Sequence, residues 1–251
     1  MYKILAKTLF VGKKIVFMPS CHSTNDVASQ LVDKEKIEEG TIIITDNQTR
    51  GRGQLDNKWE AEPKMNLTFS IILRPHFITA ADQFFLNIVP SLAVFEYLDQ
   101  RFPSKVKIKW PNDILCEGKK VCGILVKNFL RNKNISYSVV GIGLNINQIM
   151  FENPWAISMY QMDKVTRELE VEFETLCHIF EKYYLMLKSG KENVLKNNYT
   201  QYLYGLHEWI LFKTQDSFRG KIIGIDEQGK LGIESEGIIK YYNFREVAYI
   251  R

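Results

Sequence analysis

The sequence predicts an α+β fold in which a mixed sheet is flanked by helices and a small all-β module closes the chain. Three observations carry this expectation. Apolar, β-branched runs at Thr41–Thr45 and Leu67–Leu73 are interleaved with segments of helical spacing;. A β-rich block then runs from VKIKW (106–110) to GLNIN (143–147). From residue 205 onward the chain changes character, with WILF, GKIIGI, LGIE, IIKYYN and VAYIR as short strands between Gly and Asp turns;.

Taken in order, Ser23-Thr24-Asn25-Asp26 has the S-x-x-D form of a helix N-cap, and Val27, Ala28, Leu31 and Val32 follow at helical spacing;. Between the two early strands lies QTRGRGQLDNKWEAEPKMN (48–66), polar and too long for a hairpin turn;. Long loops between rigid strands often carry function. Residues 80–102 read as a helix kinked by Pro90, carrying Phe84, Phe85, Ile88, Leu92 and Phe95;. In the β block, Pro-Asn-Asp and Gly-Lys-Lys are read as turns;. Helical spacing returns over 165–187 and again over 192–203;. These readings divide the chain into a larger α+β unit at 1–204 and a small all-β module, which suggests a barrel, at 205–251.

Composition excludes several function classes. The 251 residues are 45% hydrophobic and 25% charged, as in an ordinary globular protein, with a formal net charge of +4;. That mild surplus suits an anionic substrate but is far from a nucleic-acid footprint, so no specific nucleic acid is expected. No apolar run approaches the ~20 residues of a membrane span, and MYKILAKTLFVGKK lacks a signal-peptide cleavage pattern;. Cys21, Cys116, Cys122 and Cys177 show no C-x-x-C pairing, which reads as reduced thiols in a cytoplasm;.

Five places offer chemistry. Gly51-Arg52-Gly53, after Arg50, combines close backbone approach with planar donors for phosphate or carboxylate; alone, it reads equally as a solvated basic loop;. Trp59 either stacks on a base or anchors the loop;. Lys109-Trp110-Pro111-Asn112-Asp113 sets an amide beside a carboxylate, or is simply a turn;. Lys120, beside Gly123, is either a cation for an anionic ligand or a solvated lysine at a sheet edge;. Gly141 and Gly143 mark a close approach to a strand, or a bulge without function, and Asn145 and Asn147 share one face by the two-residue period;.

Their order is more telling than any one of them. HSTND, QTRGRGQ…KW, KWPND…GKKVCGILV and VVGIGLNIN together resemble the biotin–protein ligase family over nearly the whole chain, and FRGKIIGIDEQGKLGIES-EGIIKYYN resembles its C-terminal SH3-like barrel. The resemblance implies a catalytic domain like that of class II aminoacyl-tRNA synthetases. It implies formation of biotinyl-5′-AMP from biotin and Mg-ATP, then transfer to a lysine of a biotin carboxyl carrier domain. Carried over by position, Ser23, Thr24, Gln48, Gly51, Arg52, Lys120 and Gly123 would contact biotin. Arg52, Trp59, Lys109, Asn112 and Asn145 would serve ATP or the adenylate, and Lys120, Arg52 and Asp113 would be catalytic. Metal ligands stay open beyond Mg²⁺ itself, and a homodimer stays open. The family's second loop arginine is replaced by Gln54, a place where Arg50 could compensate. With about twenty residues before HSTND, the resemblance is to the short, monofunctional class without an N-terminal DNA-binding domain. Lipoate–protein ligation and a non-catalytic biotin or adenylate sensor are the rival readings.

Overall fold

The computed structural model describes residues 2–34, 37–54 and 57–250. Its larger sheet is built from β1 (Ile15–Met18), β2 (Thr41–Thr45), β3 (Leu67–Leu73), β4 (Val106–Lys109), β5 (Asp113–Cys116), β6 (Lys119–Arg131) and β7 (Asn134–Leu144). The strand order is β1-β2-β3-β7-β6-β5-β4, and β1 pairs parallel with β2 while the other neighbours are antiparallel. The sheet is therefore mixed, as the sequence predicts. Strand β1 itself escapes a sequence reading, because four apolar residues between a Gly-Lys-Lys and a Pro-Ser carry no period;.

The two faces of this sheet differ. On one, Ile42, Ile44, Phe69, Ile71, Val140 and Ile142 join the main core with helices α2 (Phe85–Asp99) and α4 (Leu169–Lys188). Helix α2 is apolar around most of its surface and buries Leu86, Ile88, Leu92 and Leu98, with Pro90 inside it;. On the other face, helix α1 (Thr24–Lys34) covers only part of the sheet, packing Ala28 against Ile43, Ile72 and Val139. The remainder of that face carries small residues.

Two short elements complete the layer. Helix α3 (Met159–Asp163) begins with a capping box in which Ser158 and Gln161 satisfy each other's backbone N–H groups;. Helix α5 (Glu192–Gln201) buries Leu195 and Tyr199.

Residues 205–250 hold a five-stranded antiparallel sheet of β8 (Trp209–Lys213), β9 (Ser217–Ile225), β10 (Leu231–Ser235), β11 (Ile238–Tyr242) and β12 (Ala248–Tyr249), in the order β11-β10-β9-β8-β12. No pairing of β11 with β12, which would close a barrel, occurs among the described residues. Phe212, Ile222, Leu231 and Ile233 belong to the same core as the larger sheet. Trp110 Nε1 donates to the Gly229 carbonyl at 2.9 Å, tying the module to the turn before β5.

Candidate active site

The site is a pocket on the α1 face, and its floor follows from strand register. Thr68, Gly143, Gly123 and Asp113 stand side by side on β3, β7, β6 and β5. Ser70, Gly141 and Leu125 form the next row. Side chains two apart share a face, so Gly141 and Gly143 leave a bare strip of backbone.

Trp59 fills the approach that the glycines permit. A methyl group at Gly143 would fall 2.3 Å from the Trp59 indole, and one at Gly123 would fall 3.0 Å from it. The indole Nε1 is buried and has no partner among the described residues. The loop before it is held by its own backbone: Arg50 N–H donates to His22 O at 3.0 Å, and Trp59 N–H donates to Gly51 O at 2.9 Å. Gly51 is needed there, since a methyl group would sit 2.4 Å from the Trp59 carbonyl;. Arg52 reaches back to α1, its Nε 3.0 Å from Asp26 Oδ2, and is 65% exposed. Leu55 and Asp56, within the same loop, lie outside the described residues.

At one end of the pocket Thr24 and Gln48 meet, and Ser70 bonds to Thr24. Gln48 Oε1 accepts from the Thr24 N–H at 2.8 Å and from the Thr24 hydroxyl at 3.3 Å, while Ser70 donates to that hydroxyl at 2.8 Å. Ser23 and Thr24 are buried. This end offers hydroxyl and amide groups and no charge.

The other end is ionic. Lys120 Nζ lies 2.6 Å from Asp113 Oδ1 and 5.7 Å from the Trp59 ring centre. A β-bulge brings this about. In a regular strand Lys120 and Gly123, three apart, would point to opposite faces. The register between β5 and β6 slips so that Leu115 faces Lys120 while Ile114 faces Cys122. The extra residue turns Lys120 to the site face, where its Nζ comes 3.2 Å from the position of a Gly123 Cβ. The Lys120 backbone is clamped on its far side, donating to Trp155 O at 2.7 Å and accepting from Ile157 at 2.9 Å.

Several sequence expectations change in detail. Asp113 opens strand β5 instead of lying in a turn, and the hairpin turn is Glu117-Gly118, both with positive φ (49° and 77°), not Gly-Lys-Lys;. Lys120 projects from an interior strand, not a sheet edge. Strand β7 ends at Leu144, so Asn145 and Asn147 follow the strand without sharing its face.

Ser23, Thr24, Gln48, Arg52, Gln54, Trp59, Asn112, Lys120 and Gly123 line the pocket together. Asn112 also pairs with β6, donating to Ile124 O and accepting from Ile124 N–H. Gly51 and Arg50 line the adjoining cleft. Lys109 does not line the pocket; its Nζ sits 4.9 Å from the Tyr249 ring. Asn145 donates to Ile157 O at 3.1 Å and keeps a buried Oδ1 without a partner among the described residues. Sequence reading missed Asn25 and Thr68 as lining residues; the HSTND block contained the first, and only strand register reveals the second, as it does Ser70, which bonds to Thr24.

The thiols take no part. Burial pushes Cys116 up to about 12 and raises Cys21, Cys122 and Cys177 above the ordinary thiol value, so they stay protonated near neutrality. Among the described residues no group of three or more His, Cys, Asp or Glu could hold a metal ion.

The chain is similar to known proteins in sequence and in fold. Residues 17–145 match the biotin/lipoate A/B protein ligase family. The bifunctional ligase/repressor BirA of Bacillus subtilis is 30% identical over 247 residues, covering 94% of this chain and 74% of its own length. The Escherichia coli BirA is 27% identical over 253 residues, with the same two shares. Among solved structures, the biotin protein ligase from Aquifex aeolicus in complex with biotin and ATP superposes with a TM-score of 0.80 at 25% identity, over 95% of this chain and 99% of that one. With half its length matching the family, and a relative 30% identical along almost all of it, the chain belongs to the biotin/lipoate A/B protein ligase family.

Proposed function

We propose that this protein activates biotin with ATP, forming biotinyl-5′-adenylate and pyrophosphate, and transfers the biotinyl group to a lysine of a biotin carboxyl carrier domain, releasing AMP. The observation that carries this reading is a pocket with two unlike ends on one glycine floor. Thr24 and Gln48, with Ser70 bonded to Thr24, make a neutral polar end, and Lys120 makes a cationic one. Biotin has a ureido ring with amide-like donors and acceptors at one end and a carboxylate at the other. Lipoate shares the carboxylate, but its dithiolane offers nothing that the polar end could hold.

In the first step a carboxylate oxygen of biotin bonds to the α-phosphorus as the bond to pyrophosphate breaks. Charge gathers on the α-phosphate, where Lys120 and the Arg52 guanidinium are the cations at hand. In the second step the acceptor amine attacks the acyl carbon, AMP leaves with the bonding pair, and Asp113 takes the amine's proton. Trp59 and Asn145 are assigned to the purine, Ser23, Thr24, Gln48 and Gly51 to biotin, and Gly123 to close approach. Asn112 and Lys109 hold the geometry, Asn112 through β6 and Lys109 beside Tyr249. Magnesium is assigned to the phosphates of ATP, the usual mode for that ion, in keeping with the lack of a metal-ligand cluster among the described residues.

Residues 1–204 are proposed as the catalytic unit and 205–251 as the barrel-like module, in a cytoplasmic enzyme without specific nucleic-acid binding. No helix of the described residues is long and apolar enough to cross a membrane. A homodimer is compatible with this reading. Mass spectrometry of a carrier domain incubated with biotin, ATP and Mg²⁺ tests it. A gain of one biotinyl group is expected; no gain with biotin, or an equal gain with lipoate, would sink the reading.

A further inference from the structure

At Lys120 the neighbour of strand β6 changes. From Cys122 onward β6 pairs with β7, but β7 ends at Leu144, and the segment Trp155-Ala156-Ile157 takes its place beside Lys120. That segment holds both the N–H and the carbonyl of Lys120. The β-bulge lies just there, so these two bonds help to decide where the Lys120 side chain points;. Residues 145–154 separate the segment from β7, and side chains of the loop after Trp59 hold that excursion. Near its start the buried Gln148 accepts from the Glu62 N–H at 2.9 Å and from the Asn66 amide.

Glu60 holds the far end. Its Oε1 accepts from the Glu152 N–H at 2.8 Å and its Oε2 from the Asn153 N–H at 3.4 Å. The path continues through Asn153, whose Oδ1 accepts from the Trp155 N–H and whose carbonyl accepts from the Ala156 N–H, both at 3.0 Å. The Trp155 carbonyl then accepts from the Lys120 N–H at 2.7 Å. A continuous run of bonds thus joins the residue after Trp59 to the backbone of Lys120.

A carboxylate is an unfavourable choice where Glu60 stands. It lines the adjoining cleft with Gly51, Arg52 and Trp59, where the proposed reaction must admit a triphosphate, and like charges repel. A side chain kept there to bind the substrate would be neutral or basic. What a carboxylate supplies is two acceptors in a fork, matched here to two successive backbone N–H groups;.

We propose that Glu60 is a positioning residue for adenylate formation, fixing the backbone of Lys120, and with it the direction of the lysine, through the turn at 152–156. This rests on the role given to Lys120 above. The aromatic ring and the cation of the site then ride on two ends of one bonded unit.

Biotin-dependent ATP–pyrophosphate exchange, measured across a range of ATP concentrations, tests the assignment. Glu60→Ala should lower kcat roughly 10- to 100-fold, as a misplacement of about 1 Å at a reacting group does. Its KM for ATP should stay the same or fall, because a negative charge has left the cleft. Glu60→Gln keeps the acceptor for Glu152 without the charge and should restore most of kcat. In a Lys120→Ala background, Glu60→Ala should cost less than about a further threefold, since a residue acting through Lys120 has nothing left to position. Asn153→Ala, which breaks the same path in an exposed turn, replaces Glu60→Ala if that variant melts early. Wild-type kcat in Glu60→Ala, or a loss confined to the KM for ATP, overturns the assignment alone. So does a Gln variant as slow as the Ala variant, or an undiminished loss in the Lys120→Ala background. Wild-type exchange in Lys120→Ala removes the lysine's role and the positioning role with it. No biotin-dependent exchange in the wild type overturns the proposed function as well.

Discussion

Lys120 Nζ and Asp113 Oδ1 stand 2.6 Å apart on neighbouring strands, and the bulge in β6 is what lets them meet. The cation assigned to the anionic substrate is thus held by the chain's own carboxylate. Under the proposed mechanism, a substrate anion that draws Lys120 away would leave Asp113 as an uncompensated base where the acceptor amine is to lose a proton. The two assigned roles are linked through one ion pair.

Separate assays of the two half-reactions should resolve them. Lys120→Ala should slow adenylate formation by about 10²–10³, the usual effect of losing one preorganised donor. Asp113→Asn should leave pyrophosphate release closer to wild type and slow transfer from preformed biotinyl-adenylate by about 10²–10⁴. Both variants must first be shown to melt near the wild type. A Lys120→Ala enzyme with an unimpaired first step removes that residue from the site.

Gly143→Ala probes the floor. Its methyl group would meet the Trp59 indole at 2.3 Å, and an indole cannot yield as a flexible chain does;. Trp59 should be displaced, raising the KM for ATP about tenfold or more while the sheet persists; loss of one base-stacking contact is worth about 1–3 kcal/mol. Tryptophan emission should shift in the unliganded variant. Unchanged emission with an unchanged KM would mean that Trp59 does not depend on this glycine.

The fold was largely legible because periodicity reports burial. Strands β2 and β3 and the five strands of the C-terminal module stand where their apolar runs placed them. Helix α3 was missed although Ser158 and Gln161 spell a capping signal, because only five residues follow it. At the site, residue types were legible but their pairing was not. Nothing local announces that an extra residue in β6 turns Lys120 toward Asp113, or that Ser70 lies beside Gly141, since register between distant strands is set by tertiary packing;. Asn25 was read as capping chemistry because its partner, Leu125, is a hundred residues away.

Arg52→Gly tests retention of the intermediate. The side chain is 65% exposed and its contact is the ion pair with Asp26, so stability should change by no more than about 1 kcal/mol;. Loss of its planar cation should instead let the adenylate escape and label lysines on bystander proteins. Western blotting with streptavidin, beside a melting curve, reads both. Bystander labelling at the wild-type level, with adenylate still forming, would show that Arg52 does not hold the intermediate.

Stability should have a flat neutral range with a marked alkaline limit. Burial raises the phenols of Tyr97, Tyr184, Tyr199 and Tyr249, and raises Cys116 to about 12. Each raised group contributes stability that is fully present below its unfolded value and lost as pH climbs toward its folded one. The loss should therefore begin near pH 9 to 10, where unfolded thiols and phenols ionise (about 8.5 and 10). On the acid side, the hydrogen bond from Arg167 lowers Asp163, so its contribution holds above the ordinary carboxylate value and fades as pH falls below about 4;. Melting temperature measured from pH 4 to 11 should be level through neutrality and drop steeply above about 9. Tyr199→Phe isolates one cause. It gives up a hydrogen bond to Pro111 O, worth about 0.5–1.5 kcal/mol at neutral pH;. It also removes one phenol that cannot ionise in place, so its alkaline drop should be shallower than the wild type's. A wild-type melting temperature that stays level to pH 11, or a Tyr199→Phe curve that only runs parallel below it, would show that these buried phenols do not set the limit.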